Sequence, residues 1–126
     1  RVCLRNGPLN AIAVHRVISK GLVRSAHDCS EGGLLLAAAE MAFSGNLGLE
    51  LTFQIDLPVE AICFAETPSR YLLEVDPRKL DQLLSALGET HAMVVGEFTP
   101  DKTISINDCS WSIDDLRGAW LGGLVI

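Results

Sequence analysis

The chain has 126 residues, 48% of them hydrophobic, and this is enough for one core, so we expect residues 1–126 to form a single domain. Its formal charge is −6 and its ten Lys and Arg residues are scattered, which excludes a nucleic-acid-binding surface but leaves a small anionic ligand open. No apolar run reaches the ~20 residues of a transmembrane helix and no signal peptide is visible at the start, so we expect no membrane association and a cytoplasmic location.

The first part of the chain predicts a helix, a strand and a second helix. After a turn signal at residues 6–8, apolar residues at helical spacing predict a first helix, which Gly21 ends in a left-handed conformation. Residues 22–28 predict a short strand. Ser30 is then the predicted cap of a second helix from about residue 31 to residue 43.

The rest of the chain mixes strands and helices. Leu and Phe alternate with polar residues from 47 to 57, which is typical of a strand with one face in solvent. The further predicted elements are, in order, a short helix before residue 70, a buried strand at 71–76, a helix from Pro77 to Leu87, a hairpin of strands at 91–99 and 103–108, and a terminal helix capped by Ser112 or Asp114. The predicted fold class is α+β, in α/β layers, with a mixed β-sheet packed against helices.

Polar residues are concentrated where the first strand ends and the second helix begins, in the segment SAHDCSEGG (residues 25–33). One interpretation is structural: Asp28 and Ser30 cap the helix, and Gly32 and Gly33 allow close packing. The alternative is a binding site, because two glycines in a first helical turn are unfavourable and bare backbone suits the approach of a ligand or of another backbone. The spacing matches neither a P-loop nor a dinucleotide fingerprint, so the glycines alone do not decide the chemistry.

Several other polar residues allow two readings. His27 either points into the core or faces a site at the end of the strand. Glu66, Ser69 and Arg70 form a second polar group, in which Arg70 either pairs with Glu66 or is directed at an anion. No catalytic residue can be named, and the dispersed histidines do not predict a metal site.

The four cysteines are widely and irregularly spaced, with no Cys-x-x-Cys pair, which argues against a zinc ribbon or a redox motif. We expect at least three of them to be small buried hydrophobic residues. Cys29 has no base at a fixed geometry beside it, so we expect it to pack rather than to act as a nucleophile.

The segment GLVRSAHDCSEGGLLLAAAEMAFSGNLGLEL (residues 21–51) resembles the C-terminal domain of the family that contains aminoimidazole ribonucleotide synthetase, selenophosphate synthetase, thiamine monophosphate kinase and a hydrogenase maturation protein. Within it, the resemblance is strongest to the phosphoribosylformylglycinamidine synthases. Three further segments match in the expected order: CFAETPSRYLLEV, MVVGEFT and DLRGAW. The resemblance covers nearly the whole chain, and its first segment is the most specific.

The resemblance implies an ATP-dependent ligase of purine biosynthesis that converts formylglycinamide ribonucleotide to its amidine with glutamine-derived ammonia. It implies ATP and Mg²⁺ in the full-length enzyme, with no cofactor bound tightly to this segment. The implied partners are N-terminal-type domains of the same chain, a glutaminase subunit or domain, and a small nucleotide substrate. Because this chain contains no N-terminal-type domain, we expect it to be a fragment that is inactive alone.

Two points stay open within the resemblance. The HDCSEGGL and ETPSR segments resemble the second of the two copies of the domain pair, and the cleft they line is either the catalytic or an auxiliary one. We expect His27, Asp28, Ser30, Glu31, Gly32 and Gly33 to form the rim of a nucleotide or phosphate cleft, and Glu66, Ser69 and Arg70 to form a secondary anion-binding or structural loop. The alternatives are another ATP-dependent branch of the family and a scaffold module without chemistry.

Overall fold

The computed structural model describes residues 5–54 and 56–123. It contains five α-helices and six strands in this range. In chain order they are α1 (Asn6–Ser19), β1 (Ser25–Asp28), α2 (Gly33–Gly45), β2 (Gly48–Leu51), α3 (Val59–Phe64), β3 (Tyr71–Glu74), α4 (Leu80–Leu87), β4 (Gly96–Thr99), β5 (Thr103–Ile106), β6 (Cys109–Ser112) and α5 (Ile113–Gly122). A single 3-10 turn, Pro77–Lys79, precedes α4. This mixture of helices with mixed sheets confirms the predicted α+β class.

The chain divides into two compact units, each discontinuous in sequence. The first unit comprises residues 1–37 and 60–93, and the second unit comprises residues 38–59 and 94–126. That the whole chain acts as one domain stays a prediction. Among the described helices, none is both long and apolar enough to cross a lipid bilayer.

The first unit is built on a two-stranded antiparallel sheet and two packed helices. Strand β1 pairs with β3 so that Ser25 faces Glu74 and Asp28 faces Tyr71. Helix α1 packs against α4 because apolar residues at helical spacing bury one stripe of each helix. The buried cluster between them consists of Ala13, Val17, Leu22, Leu83 and Leu87. Strand β3, predicted to be buried, is only half-buried, with Tyr71 exposed.

The second unit contains a four-stranded sheet in the order β4-β2-β5-β6. Strand β2 is antiparallel to β4 and parallel to β5, and β5 is antiparallel to β6. One face of the sheet is apolar, and its central residues are Leu49, Leu51, Ile104 and Ile106, all at most 5% exposed. Helix α5 packs on the end of α2, since Arg117 donates to the carbonyl oxygen of Phe43 at 2.9 Å.

The predicted hairpin of β4 and β5 is wrong, because β2 lies between these two strands. The connection from β4 to β5 instead crosses the start of β2 at Gly48. A Cβ atom on Gly48 would collide with the carbonyl oxygens of Asp101 and Thr103, so glycine is what permits this crossing. The sheet's actual hairpin joins β5 to β6 through Asn107, at φ 52°, and Asp108.

Helix ends agree with several of the sequence predictions. Gly21 has φ +66° after α1, as expected of a left-handed stop, and Gly88 ends α4 as predicted, with φ 65° and ψ −125°. The side chain of Ser112 accepts a hydrogen bond from the Asp114 amide and caps α5, which confirms one of the two predicted caps. Helix α2, however, begins at Gly33 rather than near Glu31.

Candidate functional site

The first unit contains an open cavity of about 400 Å³ beside the carboxyl end of β1. It is lined by residues 28–31, by Glu66 and by residues 68–71. The antiparallel pairing of β1 with β3 brings these segments together, and it extends past the strands because the amide of Cys29 donates to the carbonyl oxygen of Arg70 at 2.9 Å. The polar residues of segment 28–31 and those of segment 66–70 are far apart in the sequence, but they line the same cavity.

Asp28 is one of the three carboxylates that line this cavity. The Ser30 hydroxyl donates to Asp28 Oδ2 at 2.5 Å. That hydrogen bond, and then a backbone hydrogen bond, lower the pKa of Asp28 below its ordinary value. The predicted role of Ser30 as a helix cap is thus wrong, because its hydroxyl is engaged by Asp28 rather than by an amide of α2.

Gly32 lies in the turn before α2, and Gly33 is the first residue of that helix. Gly32 and Gly33 have φ values of +73° and +68°, which side-chain-bearing residues rarely adopt. A Cβ on Gly33 would lie 2.6 Å from the carbonyl oxygen of Cys63 and 2.8 Å from that of Ala65. Gly33 is buried by this contact, so the close approach for which glycine is needed is to the chain's own backbone.

Glu66 links the loop after α3 to the glycine turn. Its Oε1 accepts a hydrogen bond from the Gly32 amide at 3.0 Å. An amide at the start of a helix is where an external anion would bind, and here a carboxylate of the chain occupies it. Any anion that uses this amide has to displace Glu66.

Arg70 stabilises its own loop. Its guanidinium donates to the carbonyl oxygens of Ala65 and Thr67. The ion pair with Glu66 that the sequence suggested is absent from the part of the chain that the structure describes. Ser69 lies beside it at φ +66°, and its carbonyl oxygen accepts a hydrogen bond from Asn10 at 2.9 Å.

His27 lies next to the cavity but is not part of its lining. The ring is half-buried, and its Nδ1 lies 2.6 Å from the backbone oxygen of Asp28 and 3.7 Å from Oδ1 of the same residue. His27 is therefore neither a fully buried core residue nor a cavity residue. Its charge, when protonated, contributes to the lowered pKa of Asp28.

The described cysteines differ in burial. Cys29 and Cys63 are buried and Cys109 is exposed, whereas Cys3 lies outside the described residues. Burial raises the pKa of both the Cys29 and the Cys63 thiol, which makes them poor nucleophiles. This agrees with the prediction that Cys29 packs, although Cys29 also forms part of the cavity wall.

Sequence reasoning missed Pro68 and Tyr71 as lining residues. Tyr71 is the first residue of β3, and only its pairing with Asp28 places it at the cavity. No local sequence pattern could therefore have predicted its position there. The cavity combines three carboxylates, one guanidinium, hydroxyl groups and an exposed aromatic ring. Such a lining can bind the hydroxyl and amine groups of a polar ligand through the carboxylates, with the ring available for stacking.

Comparison with known proteins identifies the family. The model of the family described as AIR synthase related protein, C-terminal domain, matches residues 8–109. The phosphoribosylformylglycinamidine synthase subunit PurL of Pyrococcus horikoshii is 36% identical over 124 residues, which is 95% of this chain and 17% of that protein. The PurL subunit of Moorella thermoacetica is 44% identical over 85 residues, which is 66% of this chain and 12% of that protein. The chain thus spans less than a fifth of the length of these curated relatives.

Solved structures show the same fold. Thermotoga maritima PurL complexed with FGAR superimposes with a TM-score of 0.75 at 21% identity, covering 86% of this chain and 20% of that chain. The same protein complexed with ATP gives a TM-score of 0.73 at 21% identity, covering 84% and 20%. At this level of identity the likeness extends to the fold.

Proposed function

The chain belongs to the family of AIR synthase related proteins, as their C-terminal domain, and on that premise we propose that it is part of a phosphoribosylformylglycinamidine synthase. Such an enzyme is an ATP-dependent ligase of purine biosynthesis. It converts formylglycinamide ribonucleotide to the amidine with glutamine-derived ammonia. The names of the curated relatives support this assignment.

One observation supports assigning the function to particular residues. The two segments that most resemble these synthases line a single cavity. Asp28, Ser30 and Glu31 come from one segment, and Glu66, Ser69 and Arg70 come from the other. Binding residues of proteins are often located on loops that a rigid scaffold positions. We therefore assign this cavity to the nucleotide or ribonucleotide cleft of the enzyme.

The roles proposed for the residues follow from their contacts. Asp28 is held ionised by Ser30, so it accepts hydrogen bonds from hydroxyl or amide groups of the ligand. Arg70 keeps the loop in place with two of its nitrogens, while Nη1 makes no hydrogen bond within the described residues and is available to the ligand. Gly33 supports the cavity through packing rather than by meeting the ligand.

The residues present do not form a centre for Mg²⁺ by themselves. Within residues 5–54 and 56–123 no group of three His, Cys, Asp or Glu side chains is placed to hold a metal ion. Mg²⁺ commonly uses one or two carboxylates together with phosphate oxygens of the substrate, and a single protein segment then supplies only part of its ligands. The roles of the cavity residues are therefore described without Mg²⁺.

The proposal includes partners that the resemblance implies. The cleft is completed by N-terminal-type domains of a longer chain, and ammonia comes from a glutaminase subunit or domain. The sequences of residues 27–34 and 66–70 resemble the second of the two copies of the domain pair, which supports placing this domain in that copy. Cys29, Cys63 and Cys109 are free thiols, which supports a reducing, cytoplasmic location.

The test is the substitution Asp28→Asn in the full-length enzyme. It removes the ionised acceptor while keeping the size of the side chain, so we expect kcat/KM for the ribonucleotide or for ATP to fall by about tenfold or more. The matched control is Asp81→Asn in the first turn of α4, which is exposed and outside the cavity, and it should change kcat/KM by less than about twofold.

Thermal unfolding of both variants shows whether the fold is kept. Equal kcat/KM values for the wild type and Asp28→Asn, with both proteins folded, would remove this cavity from the catalytic cleft. Loss of activity in Asp81→Asn to the same extent would show that the effect is not specific to the site.

A further inference from the structure

Ser69 adopts a backbone conformation that its residue type does not favour. Among the described residues, the non-glycine residues with positive φ are Asn46, Ser69 and Asn107, at 52°, 66° and 52°. Asparagine tolerates this left-handed region better than most side chains, whereas serine has no such advantage. Conformations of this kind persist only where the surrounding contacts enforce them, and they are frequent where proteins hold ligands. Ser69 lies in the wall of the cavity, between Pro68 and Arg70.

The contact that holds Ser69 comes from helix α1. The side-chain amide of Asn10 donates a hydrogen bond to the carbonyl oxygen of Ser69 at 2.9 Å, across 59 residues of sequence. Both residues are half-buried, so water competes less for this hydrogen bond than for one on the surface. The side chain of Ser69 also lies against α1, because a Cβ atom on Gly7 would be 2.9 Å from its Oγ.

Asn10 is an unfavourable residue for its place in α1. It lies within the helix rather than at its end, and there Asn is a poor helix former because its side chain competes for backbone hydrogen bonds. The side chain reaches instead to the turn at Ser69, although Asn10 is not part of the cavity lining. A residue that breaks a local preference and makes a long-range contact is expected to serve the distant end of that contact.

We propose that Asn10 is a positioning residue for the ligand of this cavity, an inference that rests on the proposed function. By holding the carbonyl oxygen of Ser69, it keeps residues 68–70 in the turn that places Arg70 in the cavity wall. The amide of Cys29 donates to the carbonyl oxygen of Arg70 at 2.9 Å, so the turn is fixed from two sides. Asn10 affects the ligand only through this turn.

The test is the substitution Asn10→Ala in the full-length enzyme. It removes the hydrogen-bond donor but is favourable for the helix, so the fold is kept while the turn loosens. Kinetics are measured with ATP and with formylglycinamide ribonucleotide. We expect kcat/KM to fall about three- to tenfold, mainly through KM, for the substrate that Asp28→Asn also affects, because one hydrogen bond that orders the binding wall is lost.

A second measurement does not depend on activity. In hydrogen exchange followed by mass spectrometry, the amides of residues 66–71 should exchange about threefold faster or more in Asn10→Ala than in the wild type, because the turn opens more often. The matched control is Gly21→Ala, which strains the other end of α1, where nothing lies within 4 Å of the new Cβ. This control should change neither the exchange at 66–71 nor KM by more than about twofold.

A double variant tests whether Asn10 acts through Ser69. Glycine adopts positive φ without penalty, so Ser69→Gly relieves the strain against which Asn10 holds the turn. Ser69→Gly has an effect of its own, because Ser69 lines the cavity. Adding Asn10→Ala to it should raise KM by less than about a further twofold. Full additivity of the two substitutions would overturn the proposal, since Asn10 would then act independently of Ser69.

The remaining outcomes separate this proposal from the proposed function. Unchanged exchange at residues 66–71 in Asn10→Ala would overturn the proposal, because the turn would then be held without Asn10. Unchanged KM in Asn10→Ala, with kcat/KM lowered in Asp28→Asn, would reject the positioning role and leave the proposed function standing. No effect of Asp28→Asn, with faster exchange in Asn10→Ala, would reject the proposed function, and the role of Asn10 in ligand binding would fail with it.

Discussion

Gly33 shows how a single residue determines the shape of the candidate site. Its φ of +68° is unfavourable for any residue with a Cβ, and the carbonyl oxygens of Cys63 and Ala65 lie where that Cβ would be. Gly21 has a similar φ of +66°, but nothing lies within 4 Å of its Cβ position. A substitution at Gly21 therefore tests the cost of the positive φ alone, whereas a substitution at Gly33 adds a steric collision.

We expect Gly21→Ala to lower the free energy of unfolding by about 1–2 kcal/mol, which is the penalty for a left-handed residue with a Cβ. Gly33→Ala should lower it by a further ~1–3 kcal/mol, because the loop after α3 has to move away. Denaturant unfolding of the two purified variants measures both values. Equal losses would show that Cys63 and Ala65 do not restrict the site at Gly33.

Asp76 is the most strongly perturbed acid among the described residues. It is buried, and its carboxylate accepts hydrogen bonds from the side chains of Arg24 and Arg78 at 2.9 and 2.7 Å and from the Arg78 amide at 3.0 Å. The hydrogen bonds from Arg78, together with the charges of both arginines, hold the pKa of Asp76 far below its ordinary value. The carboxylate also caps the 3-10 turn that leads into α4.

A lowered pKa in the folded state makes stability depend on pH in a definite direction. The contribution of Asp76 is fully present above the unfolded pKa of about 3.9 and is lost as the pH falls through the folded value. We expect the unfolding free energy of the wild type to decrease from about pH 5 downward, and Asp76→Asn to be less stable at pH 7 with a shallower decrease. Urea unfolding across this pH range checks the slopes, and the exposed Asp81→Asn should keep the slope of the wild type.

At the scale of elements, α5 depends on the residue that precedes it. The Ser112 hydroxyl accepts a hydrogen bond from the Asp114 amide at 3.2 Å, which satisfies one amide of the first helical turn. Asp114 and Asp115 in this turn add a favourable interaction with the helix dipole.

We expect Ser112→Ala to lower the free energy of unfolding by about 1 kcal/mol through loss of this cap. Ser110→Ala in the same strand is the matched control, because Ser110 is exposed and caps nothing, and its effect should stay within about 0.5 kcal/mol. Denaturant unfolding compares the two. If both serines gave the same small change, the cap would contribute nothing measurable.

Local patterns were sufficient to predict most elements but not how the strands pair. Helical spacing located α1, and the stops at Gly21 and Gly88 and the cap at Ser112 were predicted correctly, since each depends on neighbouring residues. The short strand β6, with its mixed polar sequence, was missed. The partner of β5 was predicted wrongly, because the insertion of β2 depends on contacts more than 50 residues apart in the chain.

The candidate site could be predicted in parts. Both polar segments were named from their composition and from the family resemblance, but their meeting in one cavity depends on the long-range pairing of Asp28 with Tyr71. The engagement of Ser30 by Asp28 and of Gly32 by Glu66 could not be read from spacing either. These choices are made by tertiary contacts, which compete with the local capping preferences.

At the scale of the whole molecule, the chain is a small part of its curated relatives, and its charge is distributed unequally between the two units. The chain spans 12–17% of the two curated relatives described above. The second unit contains eight Asp and Glu residues and only two Lys and Arg residues, so the whole net charge of −6 belongs to it. Net charge concentrated in this way promotes association with basic surfaces rather than determining the fold.

The position of β2 in the middle of its sheet has a consequence for biosynthesis. Both neighbours of this strand, β4 and β5, are translated only after residues 60–93. At roughly 5–20 residues per second, the backbone of β2 waits several seconds without hydrogen-bonding partners. During that interval both edges of β2 lack strand partners, and unpaired strand edges are prone to pair with other chains.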